Sequence, residues 1–278
     1  MKILTIIGTR PELIRLSRII PTLDKFSKQI IVHTGQNYDK NLDDVFFKNF
    51  KLRKPNYYLG AKGSFGNQIS IILKKMEKII EKEKPDRFFV LGDTNSSLGA
   101  IMAKRMGVKV YHVEAGNRCF DDKVPEEVNR KIIDHSSDFL LTYTARSAEN
   151  LVREGIDRSN IFIVGNPIYE VMSYYEKQIE RSDILQKLKL KEKKYFLLTL
   201  HRTENTTDPK RLKNFLDAFK KVYKKYRLEL IWPIHPRSKI SIKKNNLSIP
   251  KGLKLIDPLD FFEFIKLEKN SLCVDRKS

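Results

Sequence analysis

Short apolar runs rich in Val, Ile, Leu and Phe recur along the chain, each separated from the next by a longer stretch in which apolar residues return every three or four positions. Strands buried on both faces of a parallel sheet produce the first pattern and helices with one apolar face produce the second. The fold class expected is therefore α/β. In the first half, strands are expected at Lys2 to Gly8, Gln29 to Thr34, Arg87 to Gly92, Val108 to Val113, Phe139 to Tyr143 and Ile161 to Val164. Between them, Leu13, Leu16, Ile20 and Leu23 fall on one helical face, as do Ile69, Ile72, Leu73, Met76 and Ile80. Pro21 is expected to kink the first of these helices, because it lacks the N–H that the preceding turn needs.

A charged segment of low apolar contrast, 174–194, reads as a linker helix between a first domain, 1–173, and a second, 195–278. The second domain repeats the alternation. Strands are expected at Tyr195 to Leu200, Leu228 to Ile234 and Leu253 to Ile256, with helices through Leu212, Phe215, Ala218 and Phe219 and across Phe261 to Leu267. Each half thus reads as a Rossmann-like unit, and open sheets of this kind bind ligands at the C-terminal ends of their strands, which places the expected site in a cleft between the two. No G-x-G-x-x-G follows a strand, so a dinucleotide cofactor is not indicated.

Composition narrows the picture. The net charge of +20 is spread along helix-like stretches and no basic run is interleaved with aromatics, so nucleic acid is not the expected partner, whereas an anionic small substrate fits. Cys119 and Cys273 form no metal or redox spacing, and no apolar run approaches the roughly 20 residues of a membrane span. A cytoplasmic protein without structural disulfides or a membrane partner is expected.

Candidate chemistry gathers at the strand ends. Gly8-Thr9-Arg10-Pro11-Glu12 sits where the first strand turns into a helix, with Pro11 suited to a first helical turn. It reads either as a plain turn or as an anion site, in which free backbone N–H groups, the helix dipole and Arg10 would hold a diphosphate. Asp93, in Gly92-Asp93-Thr94-Asn95, is either a helix cap or a catalytic acid. Glu114 ends another strand, and Glu126 and Glu127 follow Pro125 at a helix start, where carboxylates also serve as plain caps. Carboxylates brought to one sheet edge raise one another's pKa, which prepares one of them for general acid–base work. In the second half His201 and Arg202 end a strand in a position that suits a phosphate, and His235 occupies the equivalent place one unit later. His33, His112 and His135 read as satisfied structural histidines.

Taken in order, GTRPE at Gly8 to Glu12, TGQ at Thr34 to Gln36, GDT at Gly92 to Thr94, HVEAGNR at His112 to Arg118, PEEVNRKIIDH at Pro125 to His135, GNP at Gly165 to Pro167, HRTEN at His201 to Asn205 and DPLDFFEF at Asp257 to Phe264 resemble the non-hydrolysing UDP-N-acetylglucosamine 2-epimerase family. The resemblance implies two Rossmann-like domains in a GT-B-type arrangement and a homodimer. It implies inversion at C2 of a UDP-sugar by elimination and re-addition of UDP, with no cofactor and no metal. It assigns Asp93, Glu114, Glu126 and His201 to catalysis and Arg10, Arg15, Arg130, Arg202, His235 and Phe264 to substrate binding.

Some positions depart from the family. Arg15 stands where many members carry Lys, and Asn37 replaces a histidine common after TGQ, which puts the regulatory second UDP-sugar site of bacterial members in doubt. Asn117-Arg118-Cys119-Phe120-Asp121 is similar to the branch that includes epimerases of UDP-2,3-diacetamido-glucuronate. After Val274 the family continues into a Ser-Asp-Ser-Gly loop and a Glu-bearing helix, whereas this sequence reads Asp275-Arg276-Lys277-Ser278. The second domain is accordingly expected to be incomplete, with Ser271 to Val274 at an uncovered sheet edge, which leaves two expectations for the chain as it stands: an epimerase, or a non-catalytic remnant that binds a UDP-sugar weakly.

Overall fold

A computed structural model describes residues 1–35, 46–200 and 208–277, apart from the side chains of residues 237, 276 and 277. The chain divides into two units, Met1–Ser173 and Tyr174–Ser278.

In the first unit, seven strands pair in parallel: β1 (Lys2–Ile7), β2 (Lys28–His33), β3 (Tyr57–Tyr58), β4 (Arg87–Leu91), β5 (Lys109–Ala115), β6 (Phe139–Thr142) and β7 (Ile161–Ile163), in the order β3-β2-β1-β4-β5-β6-β7. The two-residue β3 is one more strand than the sequence pattern shows, since Tyr57 and Tyr58 carry no run of apolar residues around them. Leu4, Ile7, Ile31, Val32, Phe88, Val90 and Val110 lose essentially all contact with solvent, as the near-continuous apolar runs require of strands covered on both faces. Because the chain builds outward from β1 on one side and then returns to lay β4 on the other, the switch point lies between β1 and β4, where the loops leaving the two strands diverge.

The stretch expected as one kinked helix is two: α1 (Arg10–Leu16) and α2 (Ile19–Phe26). Pro21 cannot donate to the carbonyl of Ser17, four residues back, and the break falls there. α3 (Phe65–Glu83) buries Ile72, Met76, Ile79 and Ile80, starts at Ser64, whose hydroxyl accepts the Asn67 N–H, and stops at Lys84 in the left-handed conformation. α4 (Gly99–Arg105), α5 (Pro125–His135), α6 (Ala145–Arg153) and α7 (Pro167–Tyr174) follow the later strands.

In the second unit, residues 174–194 contain two short helices, α8 (Glu176–Glu180) and α9 (Ile184–Leu188), which bury Ile179, Ile184 and Leu185. β8 (Tyr195–Leu200), α10 (Pro209–Tyr226), β9 (Glu229–Pro233), α11 (Pro236–Lys244), β10 (Leu253–Ile256) and α12 (Phe261–Asn270) then alternate. Ser271 to Val274, expected at an uncovered sheet edge, lead into β11 (Cys273–Lys277), which pairs in parallel with β8 from Phe196 to Leu200 and is the last strand of the order β10-β9-β8-β11. The fully buried Trp232 packs edge-on to Phe219 in this core. Among the described residues no helix is long and apolar enough to cross a membrane.

Candidate active site

Three turns at the C-terminal edge of the first sheet meet at the switch point. The turn after β1 is set by Gly8, where a Cβ would lie 1.8 Å from Ser96 Oγ and 2.4 Å from Thr34 Oγ1. From the third position of α1, Glu12 reaches back. Its Oε2 accepts the Gly8 N–H at 2.6 Å and the Thr9 N–H at 3.1 Å, and its Oε1 accepts the Thr94 hydroxyl at 2.6 Å. Burial pushes the Glu12 carboxyl above its ordinary value, with Thr94 and the two amides partly opposing. These amides, expected from the sequence to be open to an anion, are occupied by the protein's own carboxylate. The α1 turn therefore offers the Arg10 guanidinium, stacked 5.7 Å from the Phe46 ring centroid, and not a backbone cradle.

At the end of β4, Gly92 has φ +83°, a left-handed conformation that a glycine adopts without strain. Asp93 follows, and its Oδ2 accepts from Arg130 Nε at 3.0 Å and Nη2 at 2.5 Å. Asn129 donates to the Asp93 carbonyl at 3.0 Å and to Asn95 Oδ1 at 3.2 Å, which holds the turn to α5. Arg130 also reaches Glu127 Oε2 at 2.9 Å.

The third turn leaves β5, where the register shifts between Val113 and Ala115 and Glu114 itself has φ +76°. A non-glycine residue held there carries about 1–3 kcal/mol of strain. Its carboxylate is paired with Arg15 Nη1 through Oε2 and accepts from Asn117 Nδ2 through Oε1 at 3.3 Å. Burial pushes Glu114 above its ordinary value, Arg15 opposes this, and the charge of Asp93 adds to it. Arg15 also lies 3.5 Å from the Tyr143 hydroxyl. That phenol is held neutral by burial and by the neighbouring Glu114 charge.

Of the two glutamates at the start of α5, Glu126 is exposed and Glu127 is fully buried. Glu127 accepts the amides of Cys119 and Phe120, each at 3.0 Å. Burial alone would raise its carboxyl, but these amides, the Cys119 thiol and Arg130 prevail and hold it below the ordinary value.

In the second unit, His201 and Arg202 lie outside the described residues. His235 is exposed immediately before α11, where its carbonyl accepts the Ser238 N–H at 2.9 Å. Phe264, on α12, is half-buried against a cluster that includes Ile184, Leu197 and Leu267. The first unit thus brings Arg15, Asp93, Glu114 and Arg130 together at one sheet edge.

The sequence model of the family described as UDP-N-acetylglucosamine 2-epimerase matches residues 22–275. The chain belongs to the UDP-N-acetylglucosamine 2-epimerase family. It is 42% identical over 279 residues to a UDP-N-acetylglucosamine 2-epimerase of Methanococcus maripaludis, covering 97% of this chain and 76% of the relative. A solved Methanocaldococcus jannaschii UDP-GlcNAc 2-epimerase in complex with UDP-GlcNAc and UDP superposes with a TM-score of 0.90 at 41% identity, over 99% of this chain and 78% of that one. A UDP-2,3-diacetamido-2,3-dideoxy-D-glucuronate 2-epimerase of Pseudomonas aeruginosa is 36% identical over 277 residues, 98% of this chain and 76% of the relative.

In this epimerase-family chain the sequence reading passed over Glu12, Asn129 and Tyr143 as members of the edge, and named Glu127 only beside Glu126, as a carboxylate that either caps the helix or joins the edge. Thr9-x-x-Glu12 has the spacing of a capping box, which announces a carboxylate turned back toward the strand. Glu127 lies seven residues before Asp134, and that spacing sets both on one side of α5. Nothing in the local pattern around Tyr143 marks it. The edge also depends on Gly116, with φ +76°, where a Cβ would lie 2.1 Å from the Ser147 carbonyl oxygen. Gly116→Ala is expected to cost about 3 kcal/mol or more, from left-handed strain together with overpacking against backbone. Urea denaturation checks this, and a midpoint like that of the wild type contradicts it.

Proposed function

We propose that this chain interconverts UDP-N-acetylglucosamine and UDP-N-acetylmannosamine by eliminating UDP and adding it back. C2 carries no adjacent carbonyl, so its proton is removed as the anomeric C1–O bond breaks. The C2–H electrons form a C1=C2 double bond, the C1–O electrons leave on the diphosphate oxygen, and 2-acetamidoglucal and UDP result. A proton then returns to C2 on the other face as the diphosphate oxygen re-forms its bond to C1. The observation that carries the reading is the set of two carboxylates, Asp93 and Glu114, held at one switch-point edge against two guanidinium groups, Arg130 and Arg15. Such an edge supplies acid–base groups beside positive charge for a departing diphosphate.

Asp93, Glu114, Glu126 and His201 take the acid–base roles. Arg10, Arg15, Arg130, Arg202 and His235 hold the anionic part of the substrate, and Phe264 lies near the uridine. The chain acts in the cytoplasm as a homodimer, which sedimentation velocity checks. For the chemistry, UDP-N-acetylglucosamine is incubated in D2O and followed by proton NMR, where deuterium at C2 and a second anomeric signal are expected. Release of UDP with protium retained at C2 of the sugar overturns it. A second reading is favoured by the 36% identity to the diacetamido-glucuronate 2-epimerase. Under it, UDP-2,3-diacetamido-2,3-dideoxy-glucuronate exchanges at C2 with a kcat/KM at least tenfold higher than UDP-N-acetylglucosamine.

A further inference from the structure

Beneath the candidate site lies a charged chain of contacts that the proposed chemistry does not use. His112, on β5, is buried, as is Asp134 on α5. His112 Nδ1 is 2.8 Å from Asp134 Oδ1, and His112 Nε2 is 3.1 Å from the Gly92 carbonyl oxygen. Asp134 Oδ2 accepts the Gly116 N–H at 3.2 Å and Arg118 Nη1 at 2.8 Å. The Arg118 side chain is wholly enclosed and forks onto Glu154, with Nε at 2.7 Å and Nη2 at 2.5 Å.

We propose that His112, Asp134 and Arg118 form a buried positioning unit that ties the turn bearing Asp93 to the turn bearing Glu114 and so sets the spacing of the two carboxylates. The inference rests on the proposed epimerase reading.

The two ends of the network identify what it holds. One is the carbonyl of Gly92, the peptide unit that leads into Asp93, and the other is the amide of Gly116, two residues past Glu114. Gly116 is fixed from its other side as well, since Asn150 Nδ2 donates to its carbonyl at 3.0 Å. Glu114 sits between these anchors with φ +76° beside the register shift, a conformation that an ordinary residue leaves unless its neighbours over-determine it. A buried ionic cluster is a poor way to gain stability alone, because desolvation offsets most of the Coulombic attraction. Its geometric specificity is the property an apolar core would lack. Both ring nitrogens of His112 face oxygen acceptors, so the ring bridges the two turns and does not merely fill space.

Four variants separate positioning from packing. Asp134→Ala and His112→Phe remove the bridge. Arg118→Lys keeps the charge but loses the fork. Asp134→Asn keeps the shape of the network, because its oxygen still accepts from Gly116 and Arg118 and its amide can donate to His112 Nδ1 once the ring proton sits on Nε2. Assayed with UDP-N-acetylglucosamine well below each variant's melting midpoint, the first two are expected to lose at least tenfold in kcat with KM within threefold of wild type. Asp134→Asn should retain kcat within threefold.

Wild-type kcat in folded Asp134→Ala and His112→Phe overturns the inference, as does a loss in Asp134→Asn equal to that in Asp134→Ala. Should the disruptive variants fail to fold, nitrogen–proton NMR of the wild-type chain decides. Protection of the His112 Nδ1–H that faces Asp134 from solvent exchange is expected, and a freely exchanging Nδ1 position overturns the bridge. Wild-type protein with this ring proton protected but no C2 exchange overturns the epimerase reading, and the positioning role with it. C2 exchange without the protected proton overturns the positioning role alone.

Discussion

Glu114→Gln is expected to lower kcat by about 10²-fold or more while leaving the chain folded. The substitution keeps the volume and one hydrogen-bond acceptor, so Asn117 retains a partner and the turn after β5 keeps its shape. What it removes is the proton-accepting oxygen beside Arg15, the group that burial has moved toward neutral pH. A general base contributes to the rate in proportion to its readiness to take a proton at the working pH, so an uncharged isostere should leave substrate binding nearly intact and turnover poor. Steady-state kinetics paired with deuterium incorporation at C2 measure both effects. Wild-type-like turnover in Glu114→Gln would defeat the assignment of this carboxylate to proton transfer.

Arg15→Met is expected to move the acid limb of the kcat/KM profile to higher pH. The direction follows from the charges around Glu114. Burial raises the carboxyl above 4.5, Asp93 adds to the rise, and Arg15 opposes it, so removing Arg15 lets the carboxyl rise further. If Glu114 must be ionised to act, each pH unit by which the limb moves lowers the active fraction below it about tenfold. Stability shifts with the same sign. A carboxyl raised in the folded state holds its proton more tightly than in the unfolded chain, so its favourable contribution is present below 4.5 and is lost as pH rises through the folded value. Arg15→Met widens that window, whereas Arg15→Lys, which keeps the charge, should leave the limb near its wild-type position while losing the geometry of the planar fork. A pH–rate profile of Arg15→Met that superposes on wild type contradicts the account.

The sequence by itself determined the α/β class, because a strand covered on both faces has to be apolar almost throughout and a covering helix needs only one apolar stripe. Runs such as Ile3 to Ile7 and Phe88 to Leu91 can scarcely be read otherwise. The placing of Arg10, Asp93 and Glu114 where the chain leaves β1, β4 and β5 was legible for the same reason, since the end of an apolar run marks where the chain leaves the sheet. The two-residue β3 was not legible, because two tyrosines make no pattern of their own and pair only where β2 already offers an edge.

Partner choice was decided by tertiary structure alone. Arg15 and Glu114 are 99 residues apart, and Asp93 and Arg130 are 37 apart. Only the crossing of the chain at the switch point makes neighbours of the turns that carry them. The same holds for the two adjacent glutamates of α5. Local sequence makes Glu126 and Glu127 equivalent acidic residues in a first helical turn, yet rotation of the helix against the sheet leaves one exposed and turns the other onto the amides of Cys119 and Phe120. Periodicity specifies which face of an element is apolar. Which charged residues meet across the protein depends on strand order, and strand order is settled by how all the covered faces pack at once.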